Sequence, residues 1–137
     1  MDKKVQFMMG VAILASRKST CDRLKVGAVV CDKDLKTIHS YGYNGNYSGG
    51  PNKCDNPEEG NCSDIHAEIN ALIKPNREKG EIMFITDSPC LMCAKSIINA
   101  GIKKVYYLRE YRDSSGLKLL KKANVGVVKV KGDLQID

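Results

Sequence analysis

The sequence predicts a three-layer α/β/α protein, with a five-stranded mixed sheet and helices on both faces. A length of 137 residues fits one domain with one hydrophobic core. Short apolar runs alternate with helical segments, which favours parallel strands joined by right-handed crossovers. Two early strands separated only by the polar segment DKDLK predict an antiparallel hairpin ahead of the parallel strands.

The first segment, residues 1–18, is basic and then apolar, as in a signal peptide or an amphipathic helix. A helix is favoured because no small-residue cleavage site follows. It would carry two neighbouring apolar stripes: Phe7, Val11 and Leu14 on one, and Met8, Ala12 and Ala15 on the other. Because this segment is interpreted as a helix rather than a signal peptide, we expect a cytoplasmic protein. No apolar stretch reaches membrane-spanning length, so no membrane partner is expected.

The remaining elements complete one predicted domain, residues 1–137, without repeats or linkers. Strands are predicted at 26–31, 37–42, 82–86, 104–108 and 125–130, and helices at about 64–74, 91–100 and 114–123. The polar loop 44–63 is long for a compact domain, which indicates that it is functional or is held by a ligand.

Charge and cysteine content narrow the chemistry. A formal net charge of +6, spread over scattered lysines, favours an anionic partner, either nucleic acid or phosphorylated small molecules. Six cysteines in a cytosolic chain indicate metal binding or catalysis rather than disulfides. Cys31, which ends an apolar run, is interpreted as an ordinary strand residue.

Three residues form a predicted zinc site. Cys90 and Cys93 follow Pro89 at the start of a helix, on one side of its first turn. A lone C-x-x-C is also typical of a redox pair, but His66 offers a third ligand at the start of another helix, at the same edge of the sheet. Three protein ligands predict a catalytic zinc with one open position for water.

Glu68, two residues after His66, is interpreted as the general acid and base. The spacing does not suit an intrahelical pair, so we expect both side chains to serve a site outside the helix. The joint pattern H-x-E…P-C-x-x-C is the signature of zinc nucleobase deaminases. The alternative interpretation is a buried histidine with an unrelated cysteine pair, which this joint order disfavours.

Along nearly its whole length the chain resembles the deoxycytidylate (dCMP) deaminases. The matching segments are STC (19–21), VGAVV (26–30), GYNG (42–45), HAEINAL (66–72), SPCLMCAK (88–95) and AGIKKVYY (100–107). The short length and EYR at 110–112 are similar to virus-encoded members, for which the host cytoplasm is expected.

The resemblance implies a cytidine deaminase-like fold and zinc-dependent hydrolysis of dCMP to dUMP and ammonia, feeding thymidylate synthesis. It also implies a homohexamer, activated by dCTP and inhibited by dTTP, with Mg²⁺ accompanying these nucleotides. Two positions depart from the family: Tyr47 replaces a common proline, and Asp87 replaces a common leucine.

Substrate-binding residues are expected from the resemblance and from charge. Asn44 resembles the asparagine that holds sugar and base in related deaminases, although Asn-Gly also suits a turn. The full set of candidates is Asn44, Ala67, Ser88, Arg23, Lys25, Tyr111 and Arg112. The cationic members suit a phosphate, while Arg112 also fits a plain surface charge.

A second, structural zinc is suggested by three further cysteines. Cys21 and Cys54 match two ligands of such a site in some virus-encoded dCMP deaminases, and Cys62 would supply a third. The family's histidine ligands have no counterpart here, and His39 is a poor fourth ligand. Such a zinc would order the long polar loop, whereas the alternative is three reduced thiols without metal.

Two other functions remain open. The same zinc motif serves tRNA adenosine deaminases, which the basic charge would suit but the GYNG loop with its cysteines would not. A non-catalytic zinc module that binds nucleic acid is disfavoured by Glu68 and by the open coordination position. We therefore expect a small nucleotide rather than nucleic acid as the partner.

Overall fold

The computed structural model describes residues 2–52, 64–75, 79–111 and 113–131. Within these ranges the helices are α1 (Lys3–Ser16), α2 (Ala67–Leu72), α3 (Leu91–Asn99) and α4 (Ser115–Lys122). The strands are β1 (Gly27–Cys31), β2 (Ile38–Tyr43), β3 (Ile82–Asp87), β4 (Lys104–Arg109) and β5 (Gly126–Lys129). The predicted elements are confirmed, although α2 begins three residues later than the predicted position 64.

The strands form one sheet in the order β2-β1-β3-β4-β5. β1 pairs antiparallel with both β2 and β3, whereas β3, β4 and β5 are parallel. This confirms the predicted hairpin followed by three parallel strands. In the hairpin turn, the Asp32 carboxylate accepts from the backbone N–H groups of Lys36 and Thr37 at 2.8 and 3.2 Å.

Helices cover both faces of the sheet, each over its own apolar core. α1 packs on one face, against residues such as Val29 and Phe84. α2, α3 and α4 pack on the other face, against residues such as Val30, Ile85 and Val105. None of the described helices is both long enough and apolar enough to cross a membrane.

Only one of the two predicted stripes of α1 is buried. Met8, Ala12 and Ala15 face the sheet, whereas Phe7 and Leu14 are 62% and 47% exposed. The helix lies very close to β1, because a Cβ atom on Gly27 would overlap the backbone of Ala12. Small residues on the buried stripe permit this approach.

A second close approach positions the residues of the candidate site. A Cβ on Gly42 of β2 would lie 2.5 Å from the carbonyl oxygen of Ala67 and from the backbone nitrogen of Ala71. α2 therefore rests directly on the backbone of β2. This contact fixes the start of α2, and with it the HAE segment, at one edge of the sheet.

Candidate active site

The candidate site lies where β2 and β3 end and where α2 and α3 begin. His66 immediately precedes α2 in an extended conformation (φ −69°, ψ 152°), and Glu68 lies in the first turn of the helix. Two residues that are two positions apart within a helix point in different directions. His66 lies outside the helix, so its side chain and that of Glu68 are not held apart in this way. The i, i+2 pattern is that of a capping residue and a first-turn residue that serve the same site.

The three predicted metal ligands are brought together. Nδ1 of His66 lies 3.2 Å from Sγ of Cys93 and 3.6 Å from Sγ of Cys90. All three ligand atoms lie within 4.8 Å of one another. Cys90 is the N-cap of α3, and its sulfur accepts from the backbone N–H of Cys93.

This donor set fits zinc. One imidazole nitrogen and two thiolates are usual zinc ligands, and bonds of about 2.0 and 2.3 Å place neighbouring ligand atoms roughly 3.5 Å apart in a tetrahedron. The observed separations of 3.2 and 3.6 Å are close to that value. Among the described residues, this is the one cluster of metal-ligating side chains.

The two thiols have opposite shifts in pKa. The hydrogen bond from the Cys93 thiol, followed by the bond to His66, lowers the pKa of Cys90 to about 4. The same Cys90–Cys93 bond, together with burial, raises the pKa of Cys93. Cys90 is therefore ready to bind a cation, and metal binding would deprotonate Cys93 as well.

Glu68 is a buried carboxyl group beside this cluster, only 4% exposed. Burial raises its pKa to about 7, against the opposing effect of His66. A group with a pKa near the working pH both accepts and donates protons readily. Its position and its acidity suit the predicted role of general acid and base.

A cavity of about 290 Å³ opens beside these residues. It is lined by five of the seven predicted substrate-binding residues: Arg23, Asn44, Ala67, Ser88 and Tyr111. Lys25 does not line it; its ammonium group donates to the carbonyl oxygen of Ser19 at 2.8 Å. Arg112 lies outside the described residues.

Asn44 is held by backbone groups of the neighbouring loop. Its Oδ1 accepts from the N–H of Val26 at 2.8 Å, and its Nδ2 donates to the carbonyl oxygen of Leu24 at 2.7 Å. Both Leu24 and Val26 line the cavity. Asn44 therefore shapes the cavity wall, and within the described ranges one N–H of its amide group has no further protein partner.

Ser88 connects two loops at the cavity. Its backbone N–H donates to the carbonyl oxygen of Arg109 at 2.8 Å, and its hydroxyl accepts from the N–H of Tyr111 at 2.6 Å. These bonds hold the segment after β4 against the segment that carries Cys90. Tyr111 is thereby kept at the cavity wall.

Sequence reasoning missed two acidic residues of the cavity, Asp64 and Asp87. Asp87 ends β3, and its carboxylate pairs with the Arg109 guanidinium at 3.0 Å. Where the family commonly has leucine, Asp87 introduces a negative charge, and Arg109 on the next strand neutralises it. The rule that sites form at the carboxyl ends of strands could have indicated Asp87.

A second cavity of about 470 Å³ lies beside the first. Arg23 and Leu24 line both cavities, while Lys25 and Arg109 line only the second. Of the residues suggested for a second zinc, Cys21 is buried at the wall of the first cavity. Cys54 and Cys62 lie outside the described residues, and His39 lies on β2.

Comparison with known proteins agrees with this site. The family model described as the cytidine and deoxycytidylate deaminase zinc-binding region matches residues 2–109. The ComE operon protein 2 of Bacillus subtilis is 36% identical over 140 aligned residues, which cover 96% of this chain and 73% of that protein. The deoxycytidylate deaminase of Mycobacterium phage D29 is 34% identical, covering 77% of this chain and 94% of the relative.

A solved structure is similar over almost the entire chain. The dCMP deaminase of cyanophage S-TIM5, in complex with dCMP and dUMP, has a TM-score of 0.83 and 38% identity. The similarity covers 95% of this chain and 99% of the cyanophage chain. The three-layer arrangement predicted from the sequence is therefore confirmed.

Proposed function

The chain belongs to the family of the cytidine and deoxycytidylate deaminases, and from that premise we propose that it hydrolyses dCMP to dUMP and ammonia. The observation that carries the proposal is the buried carboxyl group of Glu68 beside the cluster of His66, Cys90 and Cys93, with Glu68, His66 and Cys90 at the wall of one cavity. The phage D29 relative, named as a deoxycytidylate deaminase, and the cyanophage enzyme with bound dCMP and dUMP support this substrate.

His66, Cys90 and Cys93 would hold zinc, the cofactor of this family. When bound, zinc supplies Lewis-acid chemistry that makes water a nucleophile at neutral pH. Glu68 accepts a proton from the attacking water and delivers it to a ring nitrogen of cytosine. The water oxygen becomes the new carbonyl oxygen, and the amino group leaves as ammonia after a second proton transfer.

The cavity wall binds and orients the nucleotide. Ala67, Ser88 and Tyr111 border the space next to the metal ligands. Asn44 acts mainly by fixing the Leu24–Val26 wall, with its remaining N–H directed to the sugar. Arg23, which lies where the two cavities meet, is a phosphate contact, and Lys25 and Arg112 remain predictions for the same role.

Ammonia release from zinc-loaded protein tests the proposal. Parallel assays with dCMP, deoxycytidine and tRNA separate a nucleotide deaminase from an RNA adenosine deaminase, and Glu68→Gln is the control. Turnover of dCMP that depends on Glu68 is the expected result. Release of ammonia from tRNA alone would contradict the proposal, and a zinc-loaded protein inactive on every substrate would favour the non-catalytic module.

Regulation and assembly are proposed from family membership together with the resemblance. The active form is a homohexamer in a reducing, cytoplasmic setting that keeps the cysteines available for metal. It is activated by dCTP and inhibited by dTTP, both as Mg²⁺ complexes. Light scattering of the pure protein, and dCMP assays with each nucleotide, test these statements separately.

The second zinc at Cys21, Cys54 and Cys62 also remains a proposal, supported by the placement of these residues in STC and PNKCDN. Metal analysis distinguishes it from three reduced thiols. About two zinc ions per chain are expected, falling to about one in Cys54→Ser. One zinc per chain in the unchanged protein would refute the second site.

A further inference from the structure

Charged side chains are unevenly divided between the two neighbouring cavities. The first cavity, which is bordered by His66 and Cys90, is lined by three carboxyl groups: Asp64, Glu68 and Asp87. Arg23 is the one lysine or arginine among its described lining residues. Such walls suit a neutral aminopyrimidine beside a cation better than they suit a dianionic phosphate.

The second cavity has the opposite character. Its charged lining residues are Arg23, Lys25 and Arg109, with Asp22 as the one acid among those described. The two cavities adjoin, because Arg23 and Leu24 belong to the walls of both. Asp87 of the first cavity also lies 3.0 Å from Arg109 of the second, which brings a cation close to the site of the base.

Arg109 is oriented by a specific partner. One nitrogen of its guanidinium donates to Oδ2 of Asp87 at 3.0 Å, and the hydroxyl of Thr86 donates to the same oxygen at 3.2 Å. The Asp87 side chain is 9% exposed, whereas that of Arg109 is 56% exposed. A buried carboxylate thus fixes one end of an otherwise accessible guanidinium.

Most of the hydrogen-bonding capacity of Arg109 remains for a ligand. Within the described part of the chain, Asp87 is the one side chain that bonds its guanidinium. A guanidinium has five N–H donors in a planar fork that matches phosphate oxygens. Because one edge is fixed, little side-chain entropy is lost when a phosphate binds the other donors.

We propose that Arg109, positioned by Asp87, binds the 5′-phosphate of the substrate and makes the enzyme prefer the nucleotide over the nucleoside. This inference rests on the proposed function, since it presumes a pyrimidine base at the zinc site. Arg109 contacts substrate, while Asp87 acts through Arg109 as a positioning residue. The pair lies at the carboxyl ends of β3 and β4, in register across the sheet.

The decisive variant removes both members of the pair. Arg109→Ala alone would leave the buried Asp87 carboxylate without its cation and could disturb the first cavity. Asp87→Leu combined with Arg109→Ala avoids this, because leucine is the residue that the resembling family carries there. The double variant leaves the net charge unchanged, so Lys122→Ala, at the exposed end of α4 and outside both cavities, controls for the loss of a cation away from the proposed phosphate site.

We expect the double variant to lose kcat/KM for dCMP roughly 10- to 100-fold more than for deoxycytidine, the range for hydrogen bonds to a charged group. The loss should lie in KM, because a phosphate contact stabilises substrate and transition state alike. Inhibition by dUMP should weaken by a similar factor while inhibition by deoxyuridine does not. Arg109→Lys should retain part of the preference, and Lys122→Ala all of it.

An unchanged preference for dCMP over deoxycytidine, and for dUMP over deoxyuridine, in the double variant would overturn this inference while the proposed function stands. If the double variant also loses its response to dCTP, Arg109 is assigned to an effector phosphate instead. If the unchanged, zinc-loaded protein does not deaminate dCMP, the proposed function fails and this inference fails with it.

Discussion

Gly116 of α4 lies directly against the carbonyl oxygen of Pro89. A Cβ atom on Gly116 would overlap this oxygen and would lie 2.9 Å from the carbonyl oxygen of Cys90. The backbone of α4 therefore touches the turn that carries a metal ligand. No side chain fits between α4 and this turn. The position of Cys90 therefore depends on Gly116, although α4 carries none of the three candidate metal ligands.

Gly116→Ala should destabilise the protein and weaken zinc binding together. Alanine normally stabilises a helix by about 1 kcal/mol relative to glycine. A lower free energy of unfolding in this variant would therefore show that the new Cβ atom clashes with the Pro89 carbonyl oxygen. We expect a net loss of roughly 1–3 kcal/mol in urea unfolding, and a lower zinc affinity in chelator competition. Lys118→Ala, exposed on the same helix, is the control. Normal zinc affinity in Gly116→Ala would contradict the prediction.

Glu68→Gln should keep zinc and the fold but lose turnover. Glutamine has nearly the same shape and cannot transfer the protons, so kcat should fall by a factor of ~10² to 10⁴. Zinc content and the melting temperature establish that the site is intact. Near-normal turnover in a zinc-loaded variant would exclude Glu68 as the acid and base.

Asn44→Ala should loosen the cavity wall. The change removes two hydrogen bonds to the backbone of Leu24 and Val26, at a cost of about 1–3 kcal/mol in the free energy of unfolding. Because the wall serves every substrate, kcat/KM should fall for dCMP and deoxycytidine alike. Ser48→Ala, exposed in the following loop, is the matched control. A loss confined to dCMP would indicate a phosphate contact instead.

Removal of zinc should lower the melting temperature of the unchanged protein and of Glu68→Gln by similar amounts. A metal that binds only the folded state stabilises it in proportion to the logarithm of its concentration over Kd. Cys93→Ala lacks one ligand and should show a much smaller response to chelator. A full response in that variant would argue against Cys93 as a ligand.

Cys31 should make stability depend on pH in the alkaline range. Burial, aided by the charge of Asp32, raises the pKa of this thiol from 9.0 to about 12. Between these values the unfolded chain has lost a proton that the folded chain retains, so stability is present below pH 9 and is lost as pH rises. From pH 8 to pH 11, the unchanged protein should therefore lose more unfolding free energy than Cys31→Val does. If the difference in unfolding free energy between the two proteins stays constant over this pH range, the raised pKa of Cys31 is contradicted.

The order of elements and the clustering of three candidate metal ligands could be predicted from the sequence. Strands and helices have local signals, and the predicted strands agree with the structure within one residue at each end. His66, Cys90 and Cys93 were predictable because zinc demands particular donor atoms and because parallel strands bring their carboxyl ends to one edge. Glu68 was singled out as a charge with no partner on its own helix, and the structure places it at the wall of the cavity, while its role as acid and base stays a prediction.

The tertiary structure decided which surfaces meet. The sequence offered two apolar stripes on α1, and the close approach at Gly27 selects the one without Phe7 and Leu14. The pairing of Asp87 with Arg109 joins residues 22 positions apart, so neither position shows it alone. It exists because parallel pairing sets β3 beside β4 in one register and places a buried carboxylate opposite a cation. Contacts of this kind depend on strand register and on helix-to-sheet distance, which arise only when distant segments pack together.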